Sequence, residues 1–179
     1  MPVPEDVDPD GLCALLYTSG TTSLPKGVKL TNGALTGYVM GTNDAATGED
    51  MGRMALAAPL YHIAGVTSML NALYSGRVVV LLPQFEASAW IATVQKHAVT
   101  HAFLVPTMLG RVMEAENLSA EAFEGMEAIT YGAAPMPPSV IRRAIGEFPS
   151  NVSFAGAYGQ TETTSTVAVL DPEDHRVEG

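Results

Sequence analysis

Nine lysines and arginines in 179 residues are too few to build the basic stripe that a nucleic-acid binder needs. They face 19 acids, for a net charge of -10. Eight of those acids stand in the first ten and last nine residues, at Glu5, Asp6, Asp8, Asp10, Asp171, Glu173, Asp174 and Glu178. Solvated ends therefore carry the acidity, and it says little about a partner. The purest apolar run, VVVLL at residues 78–82, falls far short of the roughly 20 residues that a membrane-spanning helix takes. The amino end, MPVPEDVDPDG, has neither the basic segment nor the apolar stretch of an export signal. The expectation is a cytoplasmic protein with no membrane span and no nucleic-acid partner. Cys13 is the single cysteine, which excludes an internal disulfide and argues against a metal cluster. Inside LCALLY it reads as a small core residue. His97, His101 and His175 lack the paired spacing of a zinc site, and no GxSxG nucleophile motif occurs.

What is present is apolar mass. Apolar residues make up 47% and charged residues 16%, which excludes a disordered chain. A chain of this length suffices for one domain, or a lobe of a larger one, burying roughly 70% of its unfolded surface. Short β-rich runs alternate with helical stretches. Residues 12–18 read as a buried strand, followed by a Gly/Ser/Thr loop up to Thr31, which caps a helix through about residue 44. Strands are expected at 53–57, 78–82, 101–105, 128–131, 152–157 and 166–170. Helices are expected at 63–74, closed by Gly76, at 87–97, from Pro106 and at 138–146. The fold class that follows is α/β, a mainly parallel sheet flanked by helices. Residues 11–170 form the α/β segment, between acidic tails at 1–10 and 171–179. Ligands of such sheets bind beyond the carboxyl ends of the strands.

The strongest feature is YTSGTTSLPKGV at residues 17–28, a strand running into a loop suited to polyphosphate. Gly20 lets the backbone approach an anion, Thr18, Ser19, Thr21 and Thr22 supply hydroxyl donors, and Lys26 supplies a compact positive charge. It is not a Walker A loop, since Pro25 and Gly27 flank the lysine where glycine and a hydroxyl residue would stand. Glu162 offers a hard carboxylate to a divalent ion or a solvated loop acid. Tyr158 offers a flat face to a purine or to the core. His62 reads as a half-buried histidine or as a group that orients a carboxylate.

The string at residues 17–28 resembles the phosphate loop of the adenylate-forming superfamily, which includes acyl- and aryl-CoA synthetases, peptide-synthetase adenylation domains and firefly luciferases. Ser23 replaces the usual glycine. PLYHIAG (59–65) is similar to the segment whose histidine borders the acyl pocket. GAAP (132–135) is similar to the segment beside adenine. YGQTET (158–163) is similar to the motif whose aromatic ring stacks on adenine, whose threonine meets the α-phosphate and whose glutamate binds magnesium. The resemblance implies ATP, Mg²⁺ and coenzyme A as cofactors or cosubstrates, and a small carboxylic acid as substrate. It implies catalytic roles for Lys26, Thr161, Glu162 and His62, with Glu162 on the metal. Thr18, Ser19, Gly20, Thr21, Thr22, Lys26, Ala133, Ala134, Pro135, Tyr158, Gly159, Gln160 and Thr161 would hold the nucleotide.

Amino-acid-activating members of that superfamily carry an aspartate on the helix after the histidine, whereas residues 62–76, HIAGVTSMLNALYSG, contain no acid. An unpaired buried ammonium is costly, so a fatty or aromatic acid with an uncharged tail is expected. The alternatives are an amino-acid adenylation domain and a non-catalytic nucleotide-binding or interaction module. The superfamily's late lysine, ribose aspartate and C-terminal domain have no counterpart among these residues. The chain thus reads as a central segment, about a third of a member. It is expected to fold, to lack ligase turnover alone and to self-associate through exposed apolar faces.

Overall fold

The computed structural model describes residues 6–19 and 24–176. Six strands form one sheet in the order β4-β3-β5-β6-β7-β8: β3 (Arg53–Leu56), β4 (Val78–Leu81), β5 (His101–Leu104), β6 (Ala128–Gly132), β7 (Ser153–Gln160) and β8 (Ser165–Leu170). All neighbours are parallel except β8, which returns antiparallel on β7. Five helices, α1 (Asn32–Thr42), α2 (Ile63–Tyr74), α3 (Ala87–Lys96), α4 (Pro106–Met113) and α5 (Pro138–Glu147), lie between the strands. The expected architecture, a mainly parallel sheet flanked by helices, is the one observed. Among the described residues no helix is long and apolar enough to cross a membrane.

Local chemistry explains where the helices start and stop. The Thr31 hydroxyl accepts the Ala34 N–H at 3.1 Å and caps α1, as a threonine at that position should. Glu86 caps α3 through the N–H groups of Ser88 and Ala89, at 3.0 and 2.6 Å, and the Ala89 and Ser88 bonds hold its pKa below the ordinary carboxylate value. The end of α2 is a Schellman turn: Gly76 sits at φ +75°, its N–H reaches Leu73 O at 3.1 Å, and Arg77 N–H reaches Ala72 O at 2.8 Å. The left-handed conformation strongly favours a residue without Cβ, and glycine stands there.

Side-chain alternation then decides which helix covers which face. Ala55, Ala102, Leu104 and Ile129 join Trp90, Ile91 and Val94 of α3, Leu109 and Val112 of α4 and Ala144 of α5 in one core. Met54, Leu56 and Phe103, their immediate neighbours in sequence, join Ala72 of α2 on the opposite face. Period-two alternation in a sheet covered on both sides produces this division. Phe123, Phe148 and Phe154 continue the larger core from Trp90, with ring centroids 6.0, 4.2 and 5.6 Å apart in succession.

The amino-terminal strand departs from expectation. β1 (Leu12–Thr18) is not buried in the main sheet; it pairs only with β2 (Lys26–Thr31), antiparallel, in a separate two-stranded sheet. Leu12, Leu15 and Tyr17 are exposed, and Cys13, expected in the core, is exposed as well. An apolar run signals the capacity for burial, but a two-stranded ribbon has no second layer to supply it. β2 takes the place of an expected loop, and its Val28 and Leu30 point inward between exposed Lys26, Gly27 and Lys29. The acidic ends are partly built in. Gly33 N–H bonds Pro9 O at 2.8 Å, and a 3-10 turn at Pro172–Arg176 carries His175 to the Tyr131 hydroxyl, 2.7 Å away.

Candidate functional site

β3, β6 and β7 are parallel through β5, so the residues that follow them share one edge of the sheet. His62 follows β3, Ala133 to Pro135 follow β6, and Thr161 and Glu162 follow β7. β7 runs three residues beyond its expected end, so that Tyr158, Gly159 and Gln160 are strand residues and not a turn. They remain extended because β8 pairs with them, Tyr158 opposite Ala168, Gly159 opposite Thr166 and Gln160 opposite Ser165, with a bulge at Tyr158/Gly159. Tyr158, at that bulge, is 75% exposed.

Glu162 is held by a tight device. A single 3-10 turn, Thr161–Thr163, is closed by a capping box between Gln160 and Thr163. The Thr163 hydroxyl accepts Gln160 N–H at 3.3 Å and lies 3.0 Å from both the Gln160 and Ser165 carbonyls. Thr164 and Ser165 both take positive φ, 56° and 93°, conformations costly for residues with a Cβ and concentrated at functional sites. The Thr18 hydroxyl donates to Glu162 Oε1 at 3.3 Å, so the end of the hydroxyl-rich strand meets the carboxylate across 144 positions of sequence. Lys26 lies opposite Thr18 in the β1–β2 ladder and is exposed.

An open cleft of ≈ 620 Å³ lies between the ends of β6 and β7 and is lined by Gly132 to Met136, Gly156 to Gly159, Tyr131 and the end of β8. Ala133, at φ +69°, turns the chain sharply there. Five sequence-expected residues, Ala133, Ala134, Pro135, Tyr158 and Gly159, thus line one cleft. Small residues on one wall and an aromatic face on the other fit a flat heterocycle. Sequence reasoning missed Tyr131, Met136 and Leu170, which also line the cleft and reach it only through folding. Tyr131 is fixed by His175, whose Nδ1–H donates to Asp171 O at 2.8 Å and leaves Nε2 to accept the phenol. Burial raises the Tyr131 pKa, so the phenol stays protonated.

Ser19 is exposed beyond β1, while Gly20, Thr21 and Thr22 lie outside the described residues. His62 shares the edge but not the cleft: it is exposed at the start of α2, beside Tyr61 with ring centroids 4.6 Å apart. The half-buried reading of His62 is thereby corrected, since the turn after Pro59 directs the ring outward. Among the described residues no group of three His, Cys, Asp or Glu side chains could hold a metal. A magnesium ion here would draw on Glu162 and on phosphate oxygens, which is how Mg²⁺ is commonly held.

A second cavity, ≈ 220 Å³, lies between α2 and the sheet and shares Ala157 with the cleft. His101 at its far end is held below the ordinary histidine pKa by desolvation, then by the Arg77 charge, against a smaller upward pull from Glu127. The unfolded chain therefore binds this proton more readily than the folded one, and stability falls as pH drops below about 6.5 through the folded value. Urea midpoints at about pH 7.5 and about pH 5.5 should differ more for the wild type than for His101→Asn. Equal differences would mean that the acid sensitivity comes from other groups.

Three comparisons bear on this site. The feruloyl-CoA synthase of Amycolatopsis sp. is 34% identical over 166 residues, covering 90% of this chain and 33% of that protein. The O-succinylbenzoate coenzyme A synthetase of Bacillus subtilis, solved in complex with ATP and magnesium ion, superposes with a TM-score of 0.78 at 30% identity, over 93% of this chain and 34% of that one. The N-terminal domain of FACL13 from Mycobacterium tuberculosis, 24% identical, shares the fold with a TM-score of 0.83 over 97% of this chain and 42% of that one. The chain spans about a third of the length of the curated relatives it matches, which include aryl-CoA ligases and a fatty acid–acyl-carrier-protein ligase. The family model described as AMP-binding enzyme matches residues 1–179, and the chain belongs to that adenylate-forming family.

Proposed function

We propose that this chain supplies the nucleotide-binding segment of an ATP-dependent ligase that activates a carboxylic acid and passes it to coenzyme A. The observation that carries the reading is the convergence of the Tyr158 cleft, the Glu162 turn and the Thr18 strand end, joined by the 3.3 Å Thr18–Glu162 hydrogen bond. A carboxylate oxygen would attack the α-phosphorus of ATP, the bond to the bridging oxygen would break, and pyrophosphate would leave. The thiol of coenzyme A would then attack the acyl carbonyl and release AMP. Two anions meet in the first step, so positive charge and oriented donors dominate the catalysis.

In this reading Thr18, Ser19 and Lys26 bind the outer phosphates, with Gly20, Thr21 and Thr22 between them in sequence. Tyr158 stacks on adenine against Ala133, Ala134 and Pro135, Gly159 and Gln160 frame the base, and Thr161 donates to the α-phosphate. Magnesium, when bound, would neutralise phosphate charge. Glu162 would be its protein ligand, and His62 would orient the acid carboxylate. Glu162→Gln should raise the magnesium concentration needed for half-maximal activity about tenfold or more. A magnesium titration identical to wild type would return Glu162 to an ordinary surface acid.

The substrate is a fatty or aromatic acid and not an amino acid. An α-ammonium would find no carboxylate on residues 62–76, and the cavity behind α2 presents Arg77 instead. ATP–pyrophosphate exchange with a panel of fatty, aromatic and amino acids, run on the longest open reading frame containing this sequence, tests the proposal. Exchange driven by fatty or aromatic acids is expected. Preference for an amino acid would overturn the substrate class, and no exchange with any acid would overturn the activity.

A further inference from the structure

β8 supplies one wall of the Tyr158 cleft through Ala168, Val169 and Leu170. It is also the last strand on its side of the sheet, and Val167, Val169 and Leu170 are exposed. Little side-chain packing holds it in place, so the ties at its two ends matter. The first residue, Ser165, is fastened to α2 by a buried hydrogen bond, 3.1 Å between its hydroxyl and that of Thr67. The last residue leads into the 3-10 turn Pro172–Arg176, from which His175 reaches back to the Tyr131 hydroxyl at 2.7 Å. The two rings meet edge to face, with centroids 5.7 Å apart.

Tyr131 makes this contact by crossing β7. It stands opposite Gly156, and Gly156 stands opposite Leu170, so the three residues form one cross-strand row from β6 to β8. A Cβ on Gly156 would lie 3.0 Å from the Tyr131 oxygen and 3.1 Å from its Cζ. Glycine therefore leaves the room that the phenol end of the ring occupies. Tyr131 is only 7% exposed, and its hydroxyl is already engaged: His175 Nδ1–H donates to Asp171 O at 2.8 Å, which leaves Nε2 to accept the phenol proton. The Asp174 N–H bonds the same Asp171 oxygen at 3.1 Å and braces the turn that carries the imidazole. The hydroxyl thus ties the exit of β8 to the end of β6, two strands and about 10 Å away.

We propose that His175 is a positioning residue of this cleft: through Tyr131 it fixes the distance between the end of β8 and the loop from Ala133 to Pro135, and with it the fit of the base that stacks on Tyr158. The inference rests on the nucleotide reading of the cleft and adds to it a residue that touches no substrate. A flat base gains from both walls only while both stay in contact, and a gap of about 0.5–1 Å forfeits a quarter to a half of the dispersion well. Without the His175 tie, the exposed end of β8 is free to open such a gap. The effect is confined to the base end of the nucleotide. Contacts there are made equally in the ground state and the transition state, so weakening them raises Kd and KM and leaves kcat alone.

The experiment is isothermal titration of AMP into the protein encoded by the longest open reading frame containing this sequence, with ATP–pyrophosphate exchange on the same preparations. His175→Ala should weaken AMP binding about fivefold and raise the KM for ATP by the same factor, with kcat within about twofold. His175→Gln should restore most of the affinity, because its amide oxygen stands where Nε2 stood and accepts the phenol. His175→Asn, whose amide reaches only the Nδ1 position, should not. Tyr131→Phe should match His175→Ala, and the double variant should be no weaker than either, since all three lose the same bond. A variant that merely loses folded protein lowers the stoichiometry of the titration and kcat at unchanged Kd and KM. That result overturns the inference, as does wild-type affinity in His175→Ala or equal affinities for the Gln and Asn variants; in each case wild-type AMP binding leaves the nucleotide reading standing. A wild-type protein that binds no AMP takes down both. Should His175→Ala fail to fold, Tyr131→Phe and His175→Gln decide the matter by the same titration.

Discussion

Replacing Lys26 with alanine is expected to lower adenylate formation by about 100-fold and to change folding stability by no more than about 0.5 kcal/mol. The two effects separate because of where the residue sits. Lys26 is exposed at the first position of β2, opposite Thr18, and Thr18 is itself hydrogen-bonded to Glu162. Because the side chain is exposed, truncation removes charge and little packing. The proposed reaction asks two negatively charged groups to approach, and an ammonium at the phosphates would offset part of that repulsion in the transition state. Exchange and urea denaturation measured on the same preparations make the comparison. Unchanged exchange would remove Lys26 from the phosphates, while a large loss of stability would assign it to the fold.

Gly159→Ala should act on both stability and activity. A Cβ at Gly159 would run into the backbone carbonyl of Ser165 and the start of Thr166, so the β7–β8 pair would have to part at its bulge. Overpacking of this kind costs about 1–3 kcal/mol, or roughly 2–4 °C of Tm for each kcal/mol in a domain of this size. The same movement carries Tyr158 on one side and the Glu162 turn on the other, and a displacement of about 1 Å can cost about 100-fold in rate. Gly146→Ala is the control, since nothing lies within 4 Å of a Cβ there and α5 should gain slightly from alanine. A Gly159→Ala protein with wild-type Tm and exchange would mean that the bulge yields freely and does not set the geometry of the site.

The elements were legible because their signals are local. Thr31 before α1, Pro106 at the start of α4, Gly76 after α2 and the aliphatic run of β4 each act within a turn or a few residues, through caps, fixed φ or side-chain shape. The ordered motifs around Lys26, His62, Ala133 and Glu162 were legible for a similar reason: they are contiguous strings. β2 escaped notice since its two inward residues, Val28 and Leu30, are too few to mark a period beside a glycine-rich loop. The extension of β7 through Gln160 was hidden as well, because it depends on β8 pairing back across a bulge.

The sequence by itself determined the family, the alternation of strands and helices, and the residue types that could hold a nucleotide, all of which are written in neighbouring residues. Tertiary structure decided what is buried and what meets. It left Cys13, Leu15 and Tyr17 exposed on a ribbon without a second layer. It brought Thr18 to Glu162 and His175 to Tyr131. Apolarity and periodicity specify that a side chain can be covered, but the covering atoms come from segments tens of residues away, so burial, pairing and the shape of a site become defined only when those segments pack.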